Sequence, residues 1–139
     1  MSAKMLDVFV DDYTSPCPYT LSSKSTIKEA DELMATHGVR HIPIVDEASV
    51  PQGILSERDV KLLRQSTEVG DELVTKYMIE DPYIVVSGTP LEKVAYEMST
   101  RKIGSAIVVT PKGQLDGIFT STDALNALVE GIRGEFEDH

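Results

Sequence analysis

Two short segments combine a hydroxyl and a carboxylate at a fixed spacing, and such a pair of groups can bind a phosphorylated ribose. Both segments run from a strand-like stretch into the start of a predicted helix. The free N–H groups and the positive dipole end of a helix start favour phosphate, and a carboxylate one turn later can accept both ribose hydroxyls. The spacing therefore indicates a nucleotide site without a glycine-rich loop, in Gly53-Ile-Leu-Ser-Glu-Arg-Asp59 and Gly117-Ile-Phe-Thr-Ser-Thr-Asp123.

A structural explanation of the same spacing stays open beside the functional one. A Ser or Thr followed three residues later by an acid resembles a capping box, in which the hydroxyl accepts a backbone N–H and the acid bonds back. Ser56 with Asp59, and Thr120 with Asp123, fit this description. Spacing alone supports both interpretations about equally, and the occurrence of the motif at two equivalent positions favours the nucleotide site.

The chain consists of two copies of one unit. A shift of 64 positions, which places residue 10 on residue 74, aligns the two halves without a gap. Between identical residues the replacements keep their character, as expected of an internal repeat. The identical pairs include Val10 and Val74, Tyr13 and Tyr77, Pro18 and Pro82, Tyr19 and Tyr83, Met34 and Met98, Gly53 and Gly117, and Asp59 and Asp123.

Each copy predicts the order strand, helix, strand, strand, helix. The strands are short apolar runs rich in β-branched residues, and the helices show apolar residues at helical spacing. Ser25 and Thr89 are predicted to cap the first helix of each copy, with Pro90 as a first helical residue and Gly38 as a left-handed C-cap. The predicted strands are Tyr19–Ser22, His41–Val45 and Gln52–Leu55 in the first copy, and Tyr83–Val86, Ser105–Val109 and Asp116–Phe119 in the second.

The 139-residue chain is acidic, with 23 Asp and Glu against 13 Lys and Arg and a formal net charge of −10. This balance argues against nucleic acids and anionic membrane surfaces as partners, because both require Lys and Arg. Arg40, His41 and Arg58 nevertheless fall near the first motif, so a single nucleotide is compatible with the charge. The single cysteine, Cys17, and the lack of any apolar run of signal-peptide or membrane-spanning length predict a soluble, cytoplasmic protein.

From about residue 10 to residue 130 the chain resembles a tandem pair of CBS domains, also called a Bateman module. The resemblance rests on the doubled element order, on the doubled motif and on Val39-Arg-His-Ile-Pro-Ile-Val-Asp46. It implies an α+β fold in which two β-α-β-β-α repeats pack sheet to sheet with pseudo-two-fold symmetry. The predicted repeats are 1–70, with a core at about 10–64, and 71–139, with a core at about 74–130 and an acidic C-terminal tail.

The resemblance implies a regulatory module that binds AMP, ADP or ATP in clefts between the repeats. In this family the motif Asp binds the ribose hydroxyls and the Ser or Thr binds phosphate, which implies these roles for Asp59 with Ser56 and for Asp123 with Thr120. The residues that open the second strand lie beside the ligand, and the chain that enters the first strand lines the base pocket. By position these residues are Val39, Arg40, His41, Ile103, Gly104 and Ser105, and then Pro18, Tyr19, Thr20, Pro82, Tyr83 and Ile84.

The two copies differ where a ligand phosphate is expected. Basic residues of the first copy are replaced by small neutral ones in the second, so the first cleft is predicted to favour more phosphate charge. The second copy also lacks the Pro and Asp that end the second strand in the family. The differing pairs are Arg40 and Gly104, His41 and Ser105, Arg58 and Thr122, Pro43 and Ile107, and Asp46 and Thr110.

No residue pattern indicates catalysis or a metal site. Neither a Ser-His-Asp nor a Cys-His arrangement is evident, and the three histidines and Cys17 lack metal-ligand spacing. Tyr19 and Tyr83 are expected to pack in the core or at its rim rather than to stack on a base. We therefore expect a non-catalytic homodimeric regulator of another protein that requires no cofactor, with Mg²⁺ only where the ligand is ATP. A ligand-free docking module, an enzyme acting on a nucleotide, and a binder of S-adenosylmethionine or NAD stay as alternatives.

Overall fold

The structure is a computed structural model that describes residues 8–17, 19–66 and 68–137, with side chains described up to residue 134. The chain divides into two compact units. One unit runs from Cys17 to Pro82, and we call it the Asp59 unit after its motif carboxylate. The other combines the chain before Cys17 with the chain from Tyr83 onward, and we call it the Asp123 unit. Each mixes helices with a small sheet, so the predicted α+β class is confirmed.

The Asp59 unit packs two helices against a two-stranded antiparallel sheet. Its elements are helix α1 (Ile27–His37), strands β1 (His41–Val45) and β2 (Pro51–Ser56), and helix α2 (Glu57–Leu63). Helix α1 ends at Gly38 with a φ of 68°, which confirms the predicted left-handed C-cap. All four elements contribute to a buried apolar core made of Leu21, Ile27, Ala30, Met34, Ile42, Ile44, Leu55, Val60 and Val74.

The Asp123 unit has the same order of elements with a complete first strand. These elements are β3 (Ile84–Val86), α3 (Leu91–Arg101), β4 (Ser105–Val109), β5 (Leu115–Thr120) and α4 (Ser121–Glu137). In the sheet β4 lies between β3, which is parallel to it, and β5, which is antiparallel. Among the described residues no helix is long and apolar enough to cross a bilayer. The buried core consists of Val10, Val85, Val94, Met98, Ala106, Val108 and Phe119.

The predicted strand Tyr19–Ser22 is wrong, because the described chain forms only a single parallel bridge there, at Leu21. In the Asp123 unit the Ile107 N–H donates to the Tyr83 carbonyl at 2.8 Å and so extends the pairing. Pro43 stands at the equivalent position and has no N–H to donate. One proline therefore shortens the pairing of the first copy from a strand to a bridge.

The helix caps are shifted by one residue from the predicted positions. Thr26 rather than Ser25 caps α1, and its hydroxyl accepts the Glu29 N–H at 3.2 Å. Helix α3 begins after Pro90 rather than after Thr89, and Pro90 makes no side-chain cap bond. The hydroxyls of both predicted caps bond to the preceding turn instead, so they end that turn rather than start the helix.

Each unit is completed by a short arm of the chain. The N-terminal arm (residues 8–16) packs in the Asp123 unit, and the linker arm (residues 72–80), its equivalent in the repeat, packs in the Asp59 unit. The Val10 N–H donates to the Thr89 carbonyl at 2.9 Å, and the Val74 N–H donates to the Ser25 carbonyl at 2.9 Å. The predicted boundary between residues 70 and 71 separates the two sequence repeats, whereas the compact units begin and end at other residues. The boundary between the repeats therefore stays a prediction.

The glycine that opens each motif makes room for an arm. A Cβ atom added to Gly53 would lie 2.7 Å from the Ile79 carbonyl oxygen, and one added to Gly117 would lie 2.6 Å from the Ser15 carbonyl oxygen. The arm residue in each case forms an antiparallel bridge with the residue that follows the glycine. The glycine is therefore required by the close approach of the two backbones.

Candidate ligand-binding half-sites

In the Asp59 unit the predicted ligand-binding groups gather at the end of the sheet where β1 begins. His41 opens β1 opposite Ser56, and the Arg40 carbonyl accepts the Glu57 N–H at 2.7 Å. Ser56 ends β2 and caps α2, since its hydroxyl accepts the Asp59 N–H at 3.2 Å. The strand start, the cap hydroxyl and the first turn of α2 with its carboxylate therefore lie side by side, and we call this group the Asp59 half-site.

The Asp123 unit places the equivalent residues in the same register. Ser105 opens β4 opposite Thr120, and the Gly104 carbonyl accepts the Ser121 N–H at 3.1 Å. The Thr120 hydroxyl accepts the Asp123 N–H at 3.3 Å. This group, which we call the Asp123 half-site, is therefore built like the first one, and Thr122 lies on the first turn of α4.

The two motif carboxylates have different surroundings, and that of Asp123 is engaged by its own unit. Its Oδ2 accepts the Thr120 N–H at 2.9 Å and the Thr120 hydroxyl at 3.1 Å. Its Oδ1 accepts the Ser15 hydroxyl at 3.2 Å. The reciprocal bonds between Thr120 and Asp123 form a capping box, so the structural interpretation of the motif is confirmed for the second copy.

The Asp59 carboxylate accepts no hydrogen bond from any group in the described part of the chain. Ser56 caps the helix, but among the described hydrogen bonds its own N–H does not donate to the Asp59 carboxylate, so the capping box is incomplete. At the position equivalent to Ser15 the linker arm carries Ile79, which has no hydroxyl. Asp59 is half-buried, and its carboxylate keeps its full capacity to accept hydrogen bonds from a ligand.

Unpaired cations are a feature of the Asp59 half-site. Arg40 and Arg58 are exposed, and neither forms an ion pair with the residues that the structure describes. Lys61, one turn further along α2, is by contrast paired with Glu57 at 3.4 Å. The two guanidinium groups are therefore available to an anionic ligand.

His41 adds little positive charge to this site at neutral pH. Burial lowers the pKa of His41 below its ordinary value of 6.5, the positive charge of Arg40 lowers it further, and Glu57 opposes the shift. The imidazole is consequently neutral near pH 7 and acts as a hydrogen-bonding group. The charge difference predicted between the half-sites therefore rests on Arg40 and Arg58.

Two residues predicted to line the base pocket have one ring face covered within their own unit. The Tyr19 ring stacks on His37, with centroids 4.1 Å apart, and the Arg101 guanidinium lies 4.9 Å from the centroid of Tyr83. The two contacts are equivalent in the repeat, and both involve the last turn of a helix. This agrees with the expected packing of the tyrosines, whereas Pro18 lies outside the described residues.

The remaining predicted residues make no hydrogen bond to the motif carboxylates among the described residues. Val39 and Ile103 pack against the hydrophobic cores. Ile84 is exposed and opens β3, and Pro82 is half-buried at the end of the Asp59 unit. Thr20 lies away from the Asp59 half-site, where it lines a cavity of about 620 Å³ together with residues at the far end of β1.

Sequence reasoning missed Ser15 as a neighbour of the motif. Its partner Asp123 lies 108 positions away along the chain, and no local pattern connects residues at that distance. The available signal was a difference between the copies, since the alignment of the repeats pairs the hydroxyl residue Ser15 with the aliphatic residue Ile79. The alignment shows the difference, but only the fold places it beside a carboxylate.

The described side chains carry polar binding groups rather than a cluster suited to a metal ion. In the ranges 8–17, 19–66 and 68–134, no three His, Cys, Asp or Glu side chains come together. Burial raises the pKa of the Cys17 thiol to about 11, so this group is protonated and a poor nucleophile at neutral pH. The half-sites offer hydroxyl, carboxylate and guanidinium groups, which suit a hydroxylated and phosphorylated ligand.

Comparison with known sequences identifies relatives along most of the chain. The family model for the CBS domain matches residues 10–64 and 71–130. The L-aspartate semialdehyde sulfurtransferase of Methanocaldococcus jannaschii is 33% identical over 115 residues, which are 82% of this chain and 22% of that protein. A CBS domain-containing protein of Dictyostelium discoideum is 23% identical over 136 residues, with 90% of this chain and 94% of that protein covered. The chain thus spans about a fifth of one relative and nearly all of the other.

Solved structures give the same assignment. A Vibrio cholerae protein named for acetoin utilization is 30% identical and superposes with a TM-score of 0.80, covering 94% of this chain and 96% of that one. The CBS domain pair of protein MJ0100, solved in complex with 5-methylthioadenosine and S-adenosyl-L-methionine, is 28% identical with a TM-score of 0.76, covering 89% and 97%. Since the family model matches both copies and the fold is that of a domain pair, this chain belongs to the CBS domain family as a tandem CBS pair.

Proposed function

We propose that this protein is a regulatory module that binds adenosine nucleotides, AMP, ADP or ATP, through its two half-sites. One observation carries the proposal: in each unit the cap hydroxyl, the motif carboxylate and the start of one strand, β1 or β4, lie together at one end of the sheet. The carboxylate suits the two hydroxyls of a ribose, and the Ser56 hydroxyl, which donates no bond within the described chain, can donate to a phosphate oxygen. The repeated placement of the same groups supports binding beyond helix capping.

The adenosine part of the ligand is supported by a relative. The CBS domain pair of protein MJ0100 was solved with 5-methylthioadenosine and S-adenosyl-L-methionine, and these two compounds share an adenosine group with an intact ribose diol. The half-buried Asp59 carboxylate, without a partner among the described residues, is suited to that diol in this protein.

The phosphate part is supported by charge. Arg40 and Arg58 are exposed and unpaired within the described chain, and guanidinium groups bind phosphate oxygens with charge-assisted hydrogen bonds. The same charges oppose the sulfonium group of S-adenosylmethionine, because like charges repel. S-Adenosylmethionine is the second candidate, favoured by its presence in the complex of protein MJ0100.

Thermal denaturation with a panel of ligands tests the proposal. AMP, ADP, ATP with and without Mg²⁺, S-adenosylmethionine and NAD are compared with 2′,3′-dideoxy-AMP, which lacks the diol. A ligand at 100 times its dissociation constant adds about 2.7 kcal/mol to the free energy of unfolding, and the melting temperature rises by roughly several degrees. The dideoxy compound is expected to produce a much smaller shift. If no adenosine compound moves the melting curve, the proposed function is wrong and a ligand-free docking module becomes the better account.

We further propose that the protein regulates without catalysis. The relative named as a sulfurtransferase is matched over only 22% of its length, so its activity is not carried over to this chain. Incubation with ATP followed by chromatography is expected to return the nucleotide unchanged. Turnover at a rate that depends on Asp59 would contradict this proposal.

The partner proposed for the exposed face of α4 is a second copy of the chain. Four apolar residues recur at i, i+3, i+4 and i+7 and are between 43% and 61% exposed: Leu125, Leu128, Val129 and Ile132. Such a stripe is typical of a helix that packs against another helix. Light scattering is expected to give a dimer that Leu125→Glu weakens, and a monomeric unsubstituted protein would contradict it. Ligand-dependent changes in such a dimer are the proposed signal to a regulated protein.

A further inference from the structure

The feature that carries a further inference is the contact between the N-terminal arm and the carboxylate of the Asp123 half-site. The backbone of Ser15 is fixed, because its N–H donates to the Ile118 carbonyl at 2.9 Å and its carbonyl accepts the Ile118 N–H at 3.0 Å. From this position the Ser15 hydroxyl donates to Asp123 Oδ1 at 3.2 Å. The bond therefore depends on one side-chain rotation and not on the arm as a whole.

A count of acceptor positions shows what this bond does. An ionised carboxylate offers about four positions for hydrogen bonds. At Asp123 three are taken, two by the N–H and hydroxyl of Thr120 and one by Ser15. A ribose that donates both of its hydroxyls needs two positions and finds one, so one of the three bonds must break. The bonds from Thr120 are local to the helix cap, and the one from the exposed Ser15 is the easiest to release.

The Asp59 half-site has the same backbone arrangement without this bond. Ile79 exchanges hydrogen bonds with Ile54 at 2.8 and 3.1 Å, as Ser15 does with its own partner. The side chain at this position is aliphatic, and the Asp59 carboxylate has no donor in the described chain. Of the three bonds by which the Asp123 carboxylate exceeds Asp59, one comes from the arm residue Ser15 and two come from Thr120.

We propose that Ser15 determines the affinity of the Asp123 half-site by occupying a carboxylate position that the ribose diol requires. This inference rests on the proposed function and adds Ser15 to the residues by which the two half-sites differ. Ligand binding at Asp123 releases the Ser15 hydroxyl, whereas binding at Asp59 displaces no protein group. The Asp59 half-site consequently fills first as the concentration of the ligand rises.

Calorimetric titration with AMP tests the inference in variants that keep one half-site. In the background Asp59→Ala, the substitution Ser15→Ala is expected to tighten AMP binding about tenfold, because a bond to a charged group no longer has to be broken. In the background Asp123→Ala, the substitution Ile79→Ser adds one donor beside Asp59 and leaves about three acceptor positions for the diol, so AMP affinity is expected to stay unchanged. Melting curves without ligand verify that all four variants are folded.

The outcomes separate the inference from the proposed function. If the unsubstituted protein binds no AMP, the proposed function fails and the inference falls with it. If the protein binds AMP but Ser15→Ala leaves the affinity of the Asp123 half-site unchanged or weakens it, the inference alone is overturned. A weakening by Ile79→Ser as large as the tightening by Ser15→Ala would also contradict it, because the Asp59 carboxylate has acceptor positions to spare.

Discussion

The Asp59 and Asp123 units share a backbone and differ in the side chains that surround their motif carboxylates. Equivalent arm bonds, from Val10 and from Val74, have the same length of 2.9 Å. The Asp123 carboxylate nevertheless accepts three hydrogen bonds from its unit, and the Asp59 carboxylate accepts none from the described residues. The comparison teaches that a repeated fold can preserve the position of a binding group while changing its availability.

The largest expected effect tests what the units share, the close packing of an arm against the motif glycine. Gly117→Ala and Gly53→Ala each bring a Cβ atom within 2.7 Å of a backbone carbonyl oxygen. Each is expected to lower the free energy of unfolding by about 3 kcal/mol, the upper end for overpacking. Chemical denaturation measures the loss, with Gly134→Ala in α4 as the control because its Cβ would meet nothing within 4 Å. Little or no loss in either variant would contradict the packing of that arm.

The next effect separates the two carboxylates in the absence of ligand. Asp123→Ala leaves the Thr120 N–H and the Ser15 hydroxyl without their acceptor, which is expected to cost about 1–2 kcal/mol. Asp59→Ala removes a group without a partner in the described chain and is expected to change stability by less than about 0.5 kcal/mol. Urea denaturation of both variants compares them directly. Equal losses would contradict the difference in carboxylate occupancy.

A smaller effect concerns the incomplete sheet of the Asp59 unit. Pro43→Ile supplies the N–H that Ile107 donates in the other unit, so the bridge at Leu21 is expected to lengthen into a strand. A net hydrogen bond is worth about 1 kcal/mol, and the lost rigidity of proline offsets part of it. Amide hydrogen exchange is the sensitive measurement, since the new amide at position 43 should be protected. Rapid exchange there would show that another feature shortens the strand.

The smallest effect is a pH dependence confined to one unit. Burial holds the pKa of His41 below 6.5 in the folded protein, so the unfolded chain binds more protons and stability falls as the pH drops through that value. His41→Ser copies Ser105 of the other unit and is expected to flatten the melting temperature between pH 7 and pH 5 (a range set by the ordinary histidine value). An unchanged slope would assign the pH dependence to other groups.

Periodicity and turn residues predicted much of the fold, because they act locally. The apolar spacing of α1 and the left-handed Gly38 follow from neighbours in the sequence. The cap at Thr26 was misplaced by one residue, since Ser25 is also a good cap and its hydroxyl bonds to the preceding turn. The strand before β1 was overpredicted because its apolar residues fit a strand, while the missing N–H of Pro43 belongs to a distant partner.

The packing of the two arms shows why the sequence predicted the site only in part. Val10 and Val74 are identical residues at equivalent positions, so either could pack in either core as far as the sequence is concerned. The fold places Val10 with the Asp123 core and Val74 with the Asp59 core. Ser15 reaches Asp123 for this reason alone, and a motif that is read one copy at a time does not contain that contact.

Titration calorimetry with AMP on the unsubstituted protein, Asp59→Ala and Asp123→Ala tests the central claim most directly. The claim is that the protein binds an adenosine nucleotide through the motif carboxylates and that the Asp59 half-site is the more available one. We predict that the unsubstituted protein binds AMP, that Asp59→Ala loses the tighter binding, and that Asp123→Ala retains it. No binding to the unsubstituted protein, or undiminished binding to Asp59→Ala, would contradict the account.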